Sequence, residues 1–134
     1  MNPLSDAISS FPLRDLCKDP NFCAGDCDNI SGDFLKHAES LGFSDGILLA
    51  VDGPVKPLDS LYVVFGEHEG INHYLAYFPS LDISVDWSAR QFWTECPVPV
   101  VADMASLKGQ WKGFPFGTND ARSLDPETFG CFYS

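Results

Sequence analysis

The stretch NHYLAYFPSLDISVDW, running from Asn72 to Trp87, decides the fold of this chain. Successive side chains of a strand point to opposite faces. His73, Leu75 and Tyr77 therefore share one face, and Tyr74, Ala76 and Phe78 share the other. Pro79, Ser80, Leu81 and Asp82 are turn residues, and Ile83 to Trp87 then alternates again, with Ile83, Val85 and Trp87 on one side. Two alternating runs around so short a loop predict an antiparallel hairpin in which Phe78 faces Ile83. That pairing puts His73 opposite residue 88 and Asp86 one diagonal step away. On this reading a small register adjustment or a bulge brings His73 and Asp86 onto one face.

Upstream, Ile30, Phe34, Leu35, Ala38 and Leu41 recur at helical spacing. Asp28 or Asn29 can cap that helix and Gly42 ends it. After Gly42 the period changes: Gly46–Val51 reads as a strand, Leu61–Gly66 as a second, and Glu67–Ile71 as a turn between the second strand and the hairpin. Downstream, Ser88–Trp93 reads as one helical turn with Ser88 as its cap. From Thr94 the chain is rich in Pro and Gly. Pro97 and Pro99 argue against a central strand there, Met104–Trp111 suits a short helix, and the last twenty residues read as a wrap pinned by Phe114, Phe116, Phe129, Phe132 and Tyr133. Residues 1–20 are a polar lead-in with one apolar stretch around Leu13–Leu16. The expectation is one α+β domain over 1–134: a lead-in (1–20), a core (21–93) and a C-terminal wrap (94–134), with an N-terminal helix packed on a small antiparallel sheet.

A length of 134 residues fits a single domain, and 45% apolar residues are enough for one core. The 19 acidic and 8 basic residues give a net charge of −11. A phosphate backbone or an anionic lipid surface would be repelled, so neither nucleic acid nor membrane is an expected partner. The charge serves solubility or docks a basic protein. No run approaches the roughly 18 apolar residues of a membrane span, and Met1–Arg14 lacks the pattern of a signal peptide, which points to a cytoplasmic location. Five cysteines leave at least one free thiol in a monomer.

Of these, Cys27 has the most reactive setting. It precedes or opens the helix, where the macrodipole favours a thiolate, and Gly25 lets the chain turn tightly beside it. Asp26 and Asp28 oppose that charge unless they point away. Cys17, Cys23, Cys96 and Cys131 read as small buried hydrophobes. Among the three histidines, His37 lies about 15 Å along the helix from Cys27 and reads as a surface residue. His68 sits between Glu67 and Glu69 in a solvated turn. His73 opens a strand in an apolar context, within reach of Asp86. A base held by a carboxylate beside a thiol is the arrangement of nucleophilic amide hydrolysis. The spacing of Cys17, Cys23, Cys27 and His37 matches no usual zinc site, so neither metal nor cofactor is expected.

The segment Asn21–Ser31 (NFCAGDCDNIS) opening a helix, with the later NHYLAYF and ISVDWSARQF, resembles papain-like cysteine hydrolases, in particular compact bacterial and phage papain-fold toxins and deamidase-type proteins. The resemblance covers residues 21–93. It implies Cys27 as nucleophile, His73 as general base and acid, and Asp86 as orienting residue. It further implies oxyanion or substrate-binding roles for Asn21, Gly25 and Gln91. Asn21 stands where such peptidases usually carry Gln, and Asp28 where an aromatic usually follows the nucleophile. The implied function is thiol-dependent hydrolysis of an amide in a protein or peptide: a peptide bond, an isopeptide bond or a glutamine side chain. The alternative is a non-catalytic acidic binding or inhibitor module on the same fold, docking a basic protein.

Overall fold

The computed structural model describes residues 2–59 and 72–118, with the backbone alone for 115–118. The expected strand 61–66, the turn carrying His68, and the aromatic pins Phe129, Phe132 and Tyr133 lie outside the described residues, as does Cys131. Among the described residues the chain is α+β: four helices and a five-stranded antiparallel sheet of order β4-β3-β2-β1-β5. The helices are α1 (Ser5–Ser10), α2 (Pro20–Cys23), α3 (Cys27–Ser40) and α4 (Met104–Gln110). The strands are β1 (Ile47–Pro54), β2 (Asn72–Phe78), β3 (Ile83–Asp86), β4 (Val100–Ala102) and β5 (Trp111–Thr118).

The β2–β3 hairpin has the expected pairing, with Phe78↔Ile83, Tyr77↔Ser84 and Ala76↔Val85. Its loop needs a left-handed residue, which Asp82 supplies with φ 51°. The same alternation sorts the core into two layers. Leu48, Ala50, Tyr74, Ala76, Phe78, Val85 and Trp87 pack with α3, through Ile30, Phe34, Leu35 and Ala38. Leu49, Val51 and Leu75 pack on the other side with Phe92, Leu107 and Trp111.

α3 begins at Cys27, earlier than its apolar spacing suggests. Asp26, rather than Asp28 or Asn29, holds the N-cap position, and its carboxylate accepts from Asn29 Nδ2 at 2.8 Å instead of from a backbone N–H. Gly42 takes φ 100°, as a helix stop requires. The lead-in is more structured than its polarity suggests. It folds into α1, a 3-10 turn (Leu16–Lys18) and α2, and it buries Leu4, Ala7, Phe11 and Cys17 in the α3-side layer.

The tail also departs from the expected wrap. Residues 111–118 form β5, antiparallel to β1 with Ala50↔Phe116, and close one sheet edge. Their Pro and Gly content hides a strand, and Pro115 is tolerated because β5 is an edge strand. β4 forms the opposite edge directly after the cis Val98–Pro99 bond, so both prolines stay out of the sheet's centre. The expected turn after Asp86 is a 3-10 turn (Ala89–Gln91) beginning after Ser88, with no side-chain cap bond from Ser88. Arg90 clips this region together, donating from Nε to Cys96 O at 3.0 Å and from Nη1 to Lys18 O at 3.1 Å.

Candidate functional site

His73 and Asp86 meet. Their side chains form a hydrogen bond of 2.9 Å between His73 Nε2 and Asp86 Oδ2, with the residues 0% and 5% exposed. The register accounts for the meeting without any adjustment. Extending the observed pairs by one places Leu75 opposite Asp86, and His73 two residues away therefore lies on Asp86's own face. The expected need for a bulge was an error of face, since a diagonal pair at two residues' offset shares its side of the sheet.

The second oxygen of Asp86 accepts from Ser88 N at 3.1 Å, which fixes the carboxylate from the backbone. The imidazole is held on its flanks as well. It stacks on Trp111 at a centroid distance of 5.4 Å and 22° between planes, and it meets the edge of Phe92 at 4.9 Å and 88°. Nε2 is thus committed to Asp86, while Nδ1 is buried without a hydrogen-bond partner among the described residues.

α3 brings Cys27 to the end of β2 that carries His73. Ser31 Oγ donates to Tyr74 O at 3.1 Å, and further along, the rings of Phe34 and Phe78 lie 6.2 Å apart. The helix and the strand therefore run in the same direction. Cys27 is one turn before Ser31, about 6 Å back along the axis. At roughly 3.3 Å per strand residue that is two positions, level with Asn72–His73. Cys27 is fully buried in the α3-side layer, whereas the His73 ring packs on Phe92 and Trp111 of the other layer. Cys27 is disulfide-bonded in this structure. Among the described residues, Cys17, Cys23 and Cys96 are free thiols.

Asn21 is exposed on α2, its backbone N–H donating to Asp19 Oδ1 at 2.9 Å. Gly25 takes φ 75° in the turn before Cys27, a conformation natural to glycine. Gln91 is buried at 2% exposure on the 3-10 turn after Asp86. His37 is half-buried, within 2.8 Å of Ser10 Oγ and beside Phe11 and Phe34, so it belongs to the α1–α3 contact.

Ser31 and Trp111 are the positioning residues the sequence reading passed over. Ser31 had a signal, because residues four apart share a helix face and Ser31 follows Cys27 by four. Trp111 had none, since β5 reaches His73 only through long-range pairing. A surface pocket of about 150 Å³ opens between α1, Arg14, Lys18, Trp87 and Pro99, and none of the expected site residues lines it. Among the described residues no group of three or more His, Cys, Asp or Glu side chains is placed to hold a metal ion. No helix among them is long and apolar enough to cross a membrane. Comparison with family models, with curated proteins and with solved structures returns no match.

Proposed function

We propose that this chain is a thiol-dependent amide hydrolase of papain-like arrangement, in which Cys27, His73 and Asp86 act as nucleophile, base and orienter. The observation that carries the reading is the division of labour on His73: Nε2 is tied to Asp86 and Nδ1 is left for a proton. Cys27 opens a 14-residue helix level with His73 along β2 but on the other face of the sheet, so the reading requires the two side chains to be brought to one side. In the reaction, the reduced Cys27 thiol, which the fold holds on the opposite face of the sheet, has to come round to the His73 side, where Nδ1 takes its proton and the thiolate attacks the carbonyl carbon of the amide. The oxyanion is met by the backbone N–H at the start of α3, with Asn21 as the second donor. His73 returns the proton to the departing amine, which leaves an acyl-enzyme thioester. Water, deprotonated by His73, then hydrolyses it. The substrate class is a protein or peptide amide, whether peptide, isopeptide or glutamine side chain. Because the Cys27 sulfur is in a disulfide here, activity requires reduction first.

A second reading has its own observation. Cys27 and His73 are both fully buried, which suits an acidic binding or inhibitor module that docks a basic protein through its −11 charge. One experiment separates the two. The reduced protein is alkylated with iodoacetamide across pH 5–9 and each cysteine is followed by mass spectrometry, in the parent and in His73→Ala. The hydrolase reading expects Cys27 to react fast well below pH 8 and to lose that reactivity without His73. A Cys27 that titrates like an ordinary thiol, indifferent to His73, sinks it and leaves the binding module.

A further inference from the structure

Cys17 and Cys23 form a cluster that the proposed reaction does not use. Cys17 lies in the 3-10 turn and Cys23 ends α2, and both are fully buried. Cys23 Sγ donates to Cys17 O at 3.2 Å and reaches Trp87 O at 3.8 Å. The Cys23 sulfur is thereby held against the Cys17 residue, close enough for each thiol to shift the other's pKa. A sulfur 3.2 Å from the carbonyl oxygen of the other cysteine, six residues on in a segment of short elements, needs little backbone movement to join its partner.

We infer that Cys17 and Cys23 are a redox-active dithiol that closes reversibly to a disulfide with a small-molecule disulfide such as oxidised glutathione. Cys17 is the attacking sulfur. The hydrogen bond from Cys23 draws its pKa below the usual thiol value, against burial and the charge of Asp86. The same bond, together with burial and that charge, pushes the Cys23 thiol far up, so Cys23 keeps its proton until the second step. Cys17 thiolate attacks one sulfur of the external disulfide, forming a mixed disulfide and expelling one thiolate. Cys23 then loses its proton, its sulfur attacks Cys17 Sγ, and the second external thiol departs. Two protein thiols are oxidised to one disulfide, and the external disulfide is reduced to two thiols. Access comes from local opening of residues 16–23, a 3-10 turn and a single four-residue helix, the kind of short element that frays most readily. The thiol donation to Trp87 O, next to Asp86, is lost when the bond closes. The inference is independent of any role for Cys27.

The test equilibrates the full chain with graded mixtures of reduced and oxidised glutathione, quenches with acid, alkylates the remaining thiols and digests with trypsin. Cleavage after Arg14, Lys18 and Lys36 separates the two cysteines, so the bond appears as peptide 15–18 joined to peptide 19–36. Tandem mass spectrometry assigns it to Cys23 or Cys27. The expected result is a Cys17–Cys23 link that dithiothreitol abolishes, while Cys96 stays alkylated. In Cys23→Ser, Cys17 should instead accumulate as the glutathione mixed disulfide. As a check on the folded parent, phenylarsine oxide should add once per chain, and prior oxidation should block it. Cys17 and Cys23 remaining alkylated in mixtures that join them in the urea-denatured chain would overturn the inference, as would absence of the arsenical adduct.

Discussion

His73 is held from three directions: by Asp86 at Nε2, by the face of Trp111 and by the edge of Phe92. Asp86 in turn is held by Ser88 N. Asp86→Asn keeps the shape and removes the charge, so a charge-assisted bond becomes a neutral one. The expected cost is about 1–3 kcal/mol in urea unfolding. On the hydrolase reading, reactivity of reduced Cys27 at pH 6 also falls, roughly tenfold or more as for other loosened general bases. Unchanged reactivity in a folded Asp86→Asn would remove Asp86 from the mechanism. Tyr77 and Cys96 contribute to the alkaline limit, alongside Cys23 and Tyr74, whose pKa values are also raised. Burial first, and then the bond from Tyr77 Oη to Asp82 Oδ1 at 2.7 Å, push the Tyr77 phenol up to about 12 from 10.0. Burial first, and then the charge of Asp86, push the Cys96 thiol up to about 11 from 9.0. Both groups hold their protons more tightly folded than unfolded. Their stabilisation is therefore complete below pH 9 and is lost as pH rises, through 9–11 for Cys96 and 10–12 for Tyr77. Urea midpoints should fall across that window, and less steeply in Tyr77→Phe. A parent midpoint flat from pH 9 to 12 would contradict this.

The helix-on-strand contact between α3 and β2 determines where Cys27 stands relative to the hairpin. Ser31 is its polar lock and Phe34, Leu35 and Phe78 its apolar one. Gly46, just before β1, shows how tightly that contact is filled. A Cβ there would meet Leu35 Cδ2 and Phe78 Cε2 inside contact distance, and both side chains are buried. Gly46→Ala should overpack the layer and cost about 1–3 kcal/mol. Gly32→Ala, on α3 with open space around its Cβ, should stabilise by roughly 0.4–1 kcal/mol. Urea denaturation of both variants measures the contrast. Equal midpoints would mean that the α3–β2 contact is looser than described.

Across the whole molecule, 19 acidic residues against 8 basic ones give a self-repelling surface. At low ionic strength that repulsion acts over about 30 Å, close to the size of the domain, and at 1 M salt over about 3 Å. Raising sodium chloride from 0.01 to 0.5 M should therefore raise the thermal midpoint. A gain of about 1 kcal/mol corresponds to roughly 2–8 °C for domains of this size class. Scanning calorimetry in the two salts is the measurement, and a fall in midpoint would mean that specific ion pairs outweigh the net charge.

What the sequence determined by itself was local or nearly so. The period-2 alternation of residues 72–87, with four turn residues between, specified the hairpin register, both faces of β2, and the diagonal neighbourhood of His73 and Asp86. The 3.6-residue spacing from Ile30 to Ala38 specified α3 and its buried stripe, whereas Leu41, which the same spacing included, caps the helix end and is exposed. Tertiary structure decided the rest because the decisive partners lie far apart along the chain. Leu4, Ala7 and Phe11 look like a polar lead-in until Phe34 and Trp87 cover them. Residues 111–118 look like an irregular wrap until β1 offers its edge. The stacking of Trp111 on His73 follows from that pairing alone. The state of the cysteines is also beyond local pattern, because whether a thiol is free, paired or oxidised depends on which sulfur folding brings beside it.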